Sequence, residues 1–148
     1  MDPRVGRLKT PEECERFAVN AKSHGRRDLA DQARRRAVEL RAADYGACSQ
    51  AEKECLEAIY AYEEVLSKKN GRRTRASRTW QMIKRHGILA SVERAVNRDT
   101  ETAGYMALAE MGLQEFAFEA VILRHRELFS AEAIRRSEER MKKWREDT

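Results

Sequence analysis

Proline and glycine are scarce in this chain, with two prolines and seven glycines among 148 residues. So little punctuation favours helices. It argues against collagen-like, linker-like and glycine-rich nucleotide-binding architectures. Cysteine is scarce as well. Cys14, Cys48 and Cys55 form no CxxC pair, which is too few for a disulfide scaffold and lacks the four close ligands of a structural zinc site. Long apolar runs are missing. The longest strongly apolar stretch, Ala120-Val121-Ile122-Leu123, falls far short of the roughly 20 residues a membrane-spanning helix needs. No apolar run follows Met1-Asp2-Pro3-Arg4, so no secretory leader is expected. Cys14 and Cys55 fall on apolar helical positions and read as core residues, which makes a reducing cytoplasm the expected compartment.

The usual catalytic signatures are absent too. GxGxxG, GxxxxGKS/T, GxSxG and HExxH do not occur, and the three histidines (His24, His86, His125) lie far apart. Glu115 and Glu119 share a helical face and could meet Glu57 or Glu64 from another helix, but the Glu-x-x-His partner motif of carboxylate metal bundles is missing. No catalytic residue, cofactor or metal site is assigned, and a non-enzymatic role is expected. His24 and His86 sit beside turn glycines, where a histidine interacts well with a helix C-terminus.

What is abundant is charge, at 37% of the residues. The distribution matters more than the total. Segment 68–98 holds Lys68, Lys69, Arg72, Arg73, Arg75, Arg78, Lys84, Arg85, Arg94 and Arg98 against a single acid, Glu93. It therefore carries +9 of a chain whose net charge is +5, and the remainder sums to −4. A local excess of that kind attracts polyanions or an acidic protein surface. Arginine suits phosphate because its planar fork grips two oxygens at once. The first amides of a helix beginning near Ser77 could add contacts, with Ser77 and Thr79. Trp80 reads as a core anchor beside Met82 and Ile83, with stacking on a nucleobase as the alternative.

The expected fold is all-α: one domain of seven or eight short helices packed as antiparallel hairpins. Thr10-Pro11-Glu12-Glu13 and Ser49-Gln50-Ala51-Glu52 read as capping boxes that open two helices. Asn70-Gly71 reads as a stop. Helices are expected over about 28–43, 77–86 and 88–97, then one capped by Asp99 or Thr100 that holds Tyr105 and Leu108. A further one runs from Leu113 through Phe116 and Ala120 to Leu123, and a last one starts at Ser130 with Ile134, Met141 and Trp144 inward. Residues 1–9 are expected to be a flexible arm, 67–79 a basic loop or helix start, and 145–148 a frayed tail. Leu128-Phe129 is expected to tuck onto the core. The Gly25 and Gly112 segments share a pattern of glycine, large apolar residue, alanine, alanine, read as ordinary helix turns with small packing residues.

Three finer expectations follow. Residues 79–98 partly match a helix-turn-helix, with Gly87 as the turn and Met82, Ile88 and Val96 at apolar positions; His86 and Glu93 break the pattern, and Ile83 stands where a small residue is usual. On that reading Ser91, Arg94 and Arg98 face the groove. A second basic set (Arg26, Arg27, Arg34, Arg35, Arg36, Arg41) is diluted by Asp28, Asp31, Glu39 and Asp44 and reads as a solvated face. Of the pairs Tyr60/Tyr62 and Phe116/Phe118, one member each points off the core, either to an interface or to a second packed side. Two functions stay open: phosphate-gripping nucleic-acid binding, with DNA favoured over RNA, or docking of an acidic protein partner.

Overall fold

The computed structural model describes residues 1–98 and 105–147, and its helices begin where the caps stand. Thr10 Oγ1 accepts from the Glu13 amide at 3.1 Å, and Ser49 Oγ accepts from the Glu52 amide at 3.1 Å. Each box closes one residue earlier than the usual pattern. Glu13 accepts from the amide of Lys9, and Glu52 from that of Cys48, rather than from the capping residue.

Among the described residues there are nine α-helices and no strand. They are α1 Pro3–Gly6, α2 Pro11–Ser23, α3 Arg27–Tyr45, α4 Gln50–Asn70, α5 Ser77–His86, α6 Ile88–Val96, α7 Tyr105–Glu110, α8 Phe118–Arg124 and α9 Ala131–Asp147. The all-α expectation holds, with one helix more than the seven or eight read from sequence. The extra one is α1, in the segment expected to be a flexible arm. Asp2 caps it, Val5 is wholly buried, and the Asp2 amide donates to Gln32 on α3 at 2.8 Å. The Asp99/Thr100 cap lies outside the described residues.

Sequential helices fold back on each other as α2/α3, α3/α4, α5/α6 and α8/α9, and α4 also packs against α6, α7 and α8. The centre of α4 is accordingly buried, with Cys55, Leu56 and Ile59 fully inaccessible. Cys14 and Cys55 are core residues as expected, and burial pushes the Cys55 thiol up to about 12.

Local order departs from the periodicity at 113–124. A 3₁₀ turn at Gln114–Phe116 and an extended Ala117 (ψ 142°) split the expected helix, and α8 starts only at Phe118. That break buries Phe116, Ala117 and Phe118 together. Phe118, expected on one reading to point outward, is 8% exposed and packs against Tyr62. Leu128 is 46% exposed, so only Phe129 of that pair packs against the core.

Gly87 is the sole residue between α5 and α6, with φ 89° and ψ 170°, a region open to little but glycine. An added Cβ would meet nothing within 4 Å. Gly87→Ala is therefore expected to cost about 1–3 kcal/mol from backbone strain alone. Urea denaturation measures it, and a change below about 0.5 kcal/mol would contradict the assigned geometry.

Candidate nucleic-acid interface

The ten cations of 68–98 do not share one environment. Lys68 and Lys69 end α4, Arg72, Arg73 and Arg75 lie on the loop 71–76, Arg78, Lys84 and Arg85 are on α5, Arg94 is on α6, and Arg98 follows α6. Three of them meet carboxylates. Arg73 contacts Glu64 at 2.9 Å and Glu15 at 3.5 Å, Arg75 contacts Glu63 at 3.7 Å, and Lys68 lies 3.9 Å from Glu110. Lys69, Arg72, Arg78, Lys84, Arg85, Arg94 and Arg98 make no ion pair among the described residues. Arg98 instead packs its guanidinium on the Met82 sulfur at 3.7 Å.

Two acids immediately before the run build the loop. Glu63, 3% exposed, accepts from the Ala76 amide at 2.8 Å and from Trp80 Nε1 at 2.7 Å, so it ties down the start of α5. Glu64 shares Arg73 with Glu15 and is also held by Arg41 of α3 at 2.9 Å. Arg41, Glu64, Arg73 and Glu15 thus alternate in sign around a closed ring that joins α2, α3, α4 and the loop.

Trp80 is an anchor. Tyr45 stacks on it with centroids 5.6 Å apart, Tyr60 lies tilted at 5.2 Å, and the Arg75 guanidinium sits 5.4 Å from its ring. A cation over an aromatic face is attractive through the ring quadrupole. With neighbours from α3 and α4 on it, the ring is not a bare platform for a base, and Tyr60 is accounted for as its packing partner.

On α5 the apolar and cationic faces separate cleanly. Ile83 is buried, whereas Ser77, Arg78, Gln81, Lys84 and Arg85 are exposed. Arg78 and Arg85, seven residues apart, stand almost in line on a 3.6-residue helix. On α6, Arg94 is exposed next to Ala90. Ser91 is not: it is fully buried and donates to the Gly87 carbonyl at 2.7 Å. The expectation that Ser91 faces a groove is corrected, because Ser91 lies one turn from Ala95 on the buried face of α6. The one-residue link at Gly87 also differs from the three to four residues that join the helices of a helix-turn-helix. Glu93, out of place in that motif, accepts from the Ser130 amide at 2.6 Å and ties α6 to the start of α9.

The second basic set is internally engaged rather than simply solvated. Arg26 pairs with Asp28, Arg34 with Asp31, and Arg35 with Glu39 and Glu115. Arg36 donates to the Leu8 carbonyl and Arg27 to the Glu110 carbonyl.

The carboxylates considered for a metal site are dispersed. Glu115 pairs with Arg35, Glu64 with Arg41 and Arg73, and Glu119 with Arg140. Among the described residues, no group of three His, Cys, Asp or Glu side chains is placed to hold a metal ion. Nor is any helix long and apolar enough to cross a membrane. His24 Nδ1 lies 2.8 Å from the Asn20 carbonyl at the end of α2, the helix-terminal role its position suggested. His125 bonds Glu54 at 2.8 Å, and Arg124 holds the same carboxylate at 2.6 Å.

Glu57 stands apart. It is 7% exposed, makes no hydrogen bond or ion pair among the described residues, and burial pushes its carboxyl above the usual range. The folded chain therefore holds this proton more tightly than the unfolded chain, and stability falls as pH rises through that interval. Glu57→Gln is expected to melt higher than the wild type at pH 7 and equally at pH 4. Thermal melts at both pH values check this, and an unchanged or lowered Tm at pH 7 would refute it.

No family model, curated protein or solved structure matches the chain. The residues alone therefore carry the functional argument.

Proposed function

We propose that the chain is a non-enzymatic, helical nucleic-acid-binding protein that grips the phosphates of duplex DNA through the exposed cationic face of α5 and α6, with little sequence readout. The observation that carries this reading is the set Arg78, Lys84, Arg85 and Arg94: four exposed cations on two packed helices, none in an ion pair among the described residues. The packed helices fix the backbone positions of these cations, so only their side chains have to be ordered on binding. Lys69 and Arg98 extend the charge at either end of the segment. At the N-terminus of α5 the Glu63 carboxylate already holds the Ala76 amide and Trp80 Nε1, so the phosphate contacts fall to the exposed side chains of Ser77 and Arg78. Backbone contacts of this kind position a protein on nucleic acid without reading its bases.

The test is a fluorescence-anisotropy titration of a mixed-sequence DNA duplex at 50 and 200 mM salt. Binding that weakens steeply with salt supports the reading, because each neutralised phosphate releases condensed counterions. No binding at 50 mM salt, or binding indifferent to salt, refutes it. An acidic polypeptide that binds while duplex DNA fails to compete would transfer the same cations to protein docking.

A further inference from the structure

We propose that a second site, separate from the α5–α6 face, binds a compact oligophosphate such as a pyrophosphate or triphosphate group. The site is the cleft of about 580 Å³ between the first helical hairpin and the loop after α4. That volume lies within the range of small-molecule sites. Six cations line it: Lys22 from α2, Arg27 and Arg34 from α3, Lys68 from α4, and Arg72 and Arg73 from the loop. None of its lining residues belongs to α5 or α6.

Three of the six cations are paired, Arg34 with Asp31, Lys68 with Glu110 and Arg73 with Glu15 and Glu64, and three are left over. Glu15 and Glu64 are held by Arg41 and Arg73 in the closed ring, and among the described residues Glu110 pairs with Lys68 alone, at 3.9 Å. Lys22, Arg27 and Arg72 come from three different elements, and none makes an ion pair among the described residues. The Arg27 guanidinium is already aimed, because it donates to the Glu110 carbonyl at 2.6 Å.

The backbone adds to the site. Gly71 follows the last helical residue of α4 in the left-handed region, at φ 70° and ψ 13°. A right-handed residue followed by a left-handed one turns successive amides toward one point and makes an anion-binding concavity. Of the amides in that turn, those of Gly71 and Arg72 find no acceptor among the described residues, whereas Thr74 farther along is satisfied by Ser67 Oγ at 2.9 Å.

The shape and lining select the ligand class. Its apolar lining consists of Ala30 and Met111, with no aromatic ring to stack on a base. Recognition therefore falls on the phosphates. Cations converging from three elements around a concavity match two or three linked phosphates, while a duplex presents its phosphates along a convex cylinder.

Calorimetry on the full chain in 50 mM salt, with tripolyphosphate and orthophosphate as probes, tests the site. One-to-one tripolyphosphate binding is expected, at least tenfold tighter than orthophosphate. A Lys22→Gln/Arg72→Gln variant, whose replaced side chains hold no bond among the described residues, is expected to lose about tenfold or more, the scale of a lost charged hydrogen bond. An Arg78→Gln/Arg85→Gln variant is expected to keep tripolyphosphate affinity within about twofold while losing duplex affinity. An oligodeoxythymidylate arm separates a free oligophosphate from a single-strand backbone. Tighter binding of the oligonucleotide than of tripolyphosphate overturns the assignment, as does absent binding, equal orthophosphate affinity, or equal loss in both variants. Failure of the duplex reading would look different: no duplex binding, with tripolyphosphate binding intact.

Discussion

Replacing Arg78, Lys84, Arg85 and Arg94 together by glutamine is expected to remove most duplex affinity while leaving the fold untouched. Each neutralised phosphate contributes a slope of about −0.9 to log K against log salt, so four lost contacts flatten the slope by about 3.6. Between 50 and 200 mM salt the wild type should then lose about 100-fold more affinity than the variant. The four side chains are exposed and make no ion pair among the described residues. Their removal should change stability by less than about 0.5 kcal/mol. Anisotropy titrations across salt and a thermal melt provide both numbers. An unchanged slope refutes the α5–α6 contact surface. As a contrast, Arg73→Gln should act mainly on stability, because Arg73 belongs to the ring with Glu15, Glu64 and Arg41.

The second large effect is expected inside the molecule. Glu119 is 1% exposed and pairs with Arg140 at 3.1 Å, an arginine whose side chain is itself only 10% exposed. Arg140 also donates to the Arg98 carbonyl at 2.8 Å, so it joins α8, α9 and the end of the α6 segment. Arg140→Met takes away one member of a buried ion pair and leaves a carboxylate in a poorly solvated place. The expected cost is about 3 kcal/mol, or a Tm lower by roughly 6–12 °C for a domain of this size. Removing the charge as well, in Glu119→Gln/Arg140→Met, should restore at least half of the loss, because much of the penalty lies in a buried carboxylate deprived of this guanidinium. Equal destabilisation of the single and double variants would show that packing, and not charge, dominates there.

Much of the architecture was legible from local pattern. Thr10 and Ser49 were readable as caps because the hydrogen bonds they make span three residues. Gly71 was readable as a stop because the left-handed region excludes most side chains wherever the helix sits in the fold. Cys14, Cys55, Leu29 and Trp144 were readable as inward-facing because a 3.6-residue period places them on apolar stripes. Where a competing local force acted, the pattern misled. The periodic run through Leu113 and Ala120 was broken at Ala117, because burying Phe116 and Phe118 together requires an extended residue between them. Residues 1–9 looked like an arm because a helix of four residues leaves almost no periodic signal, and its packing on α3 lies far away in the chain.

The sequence by itself determined that the chain is helical, where most helices begin and end, and that +9 of charge lies within 68–98. Caps, breakers and period act over one or two turns, so nearby residues suffice to specify them. Only the tertiary structure decided which of those charges are spent. Glu15 is remote from Arg73 in the chain yet neutralises it together with Glu64, and Tyr45 covers Trp80 from another helix. Coulombic and ring contacts depend on distance in space, and that distance is set by how α2, α3 and α4 pack, which no local run of residues encodes.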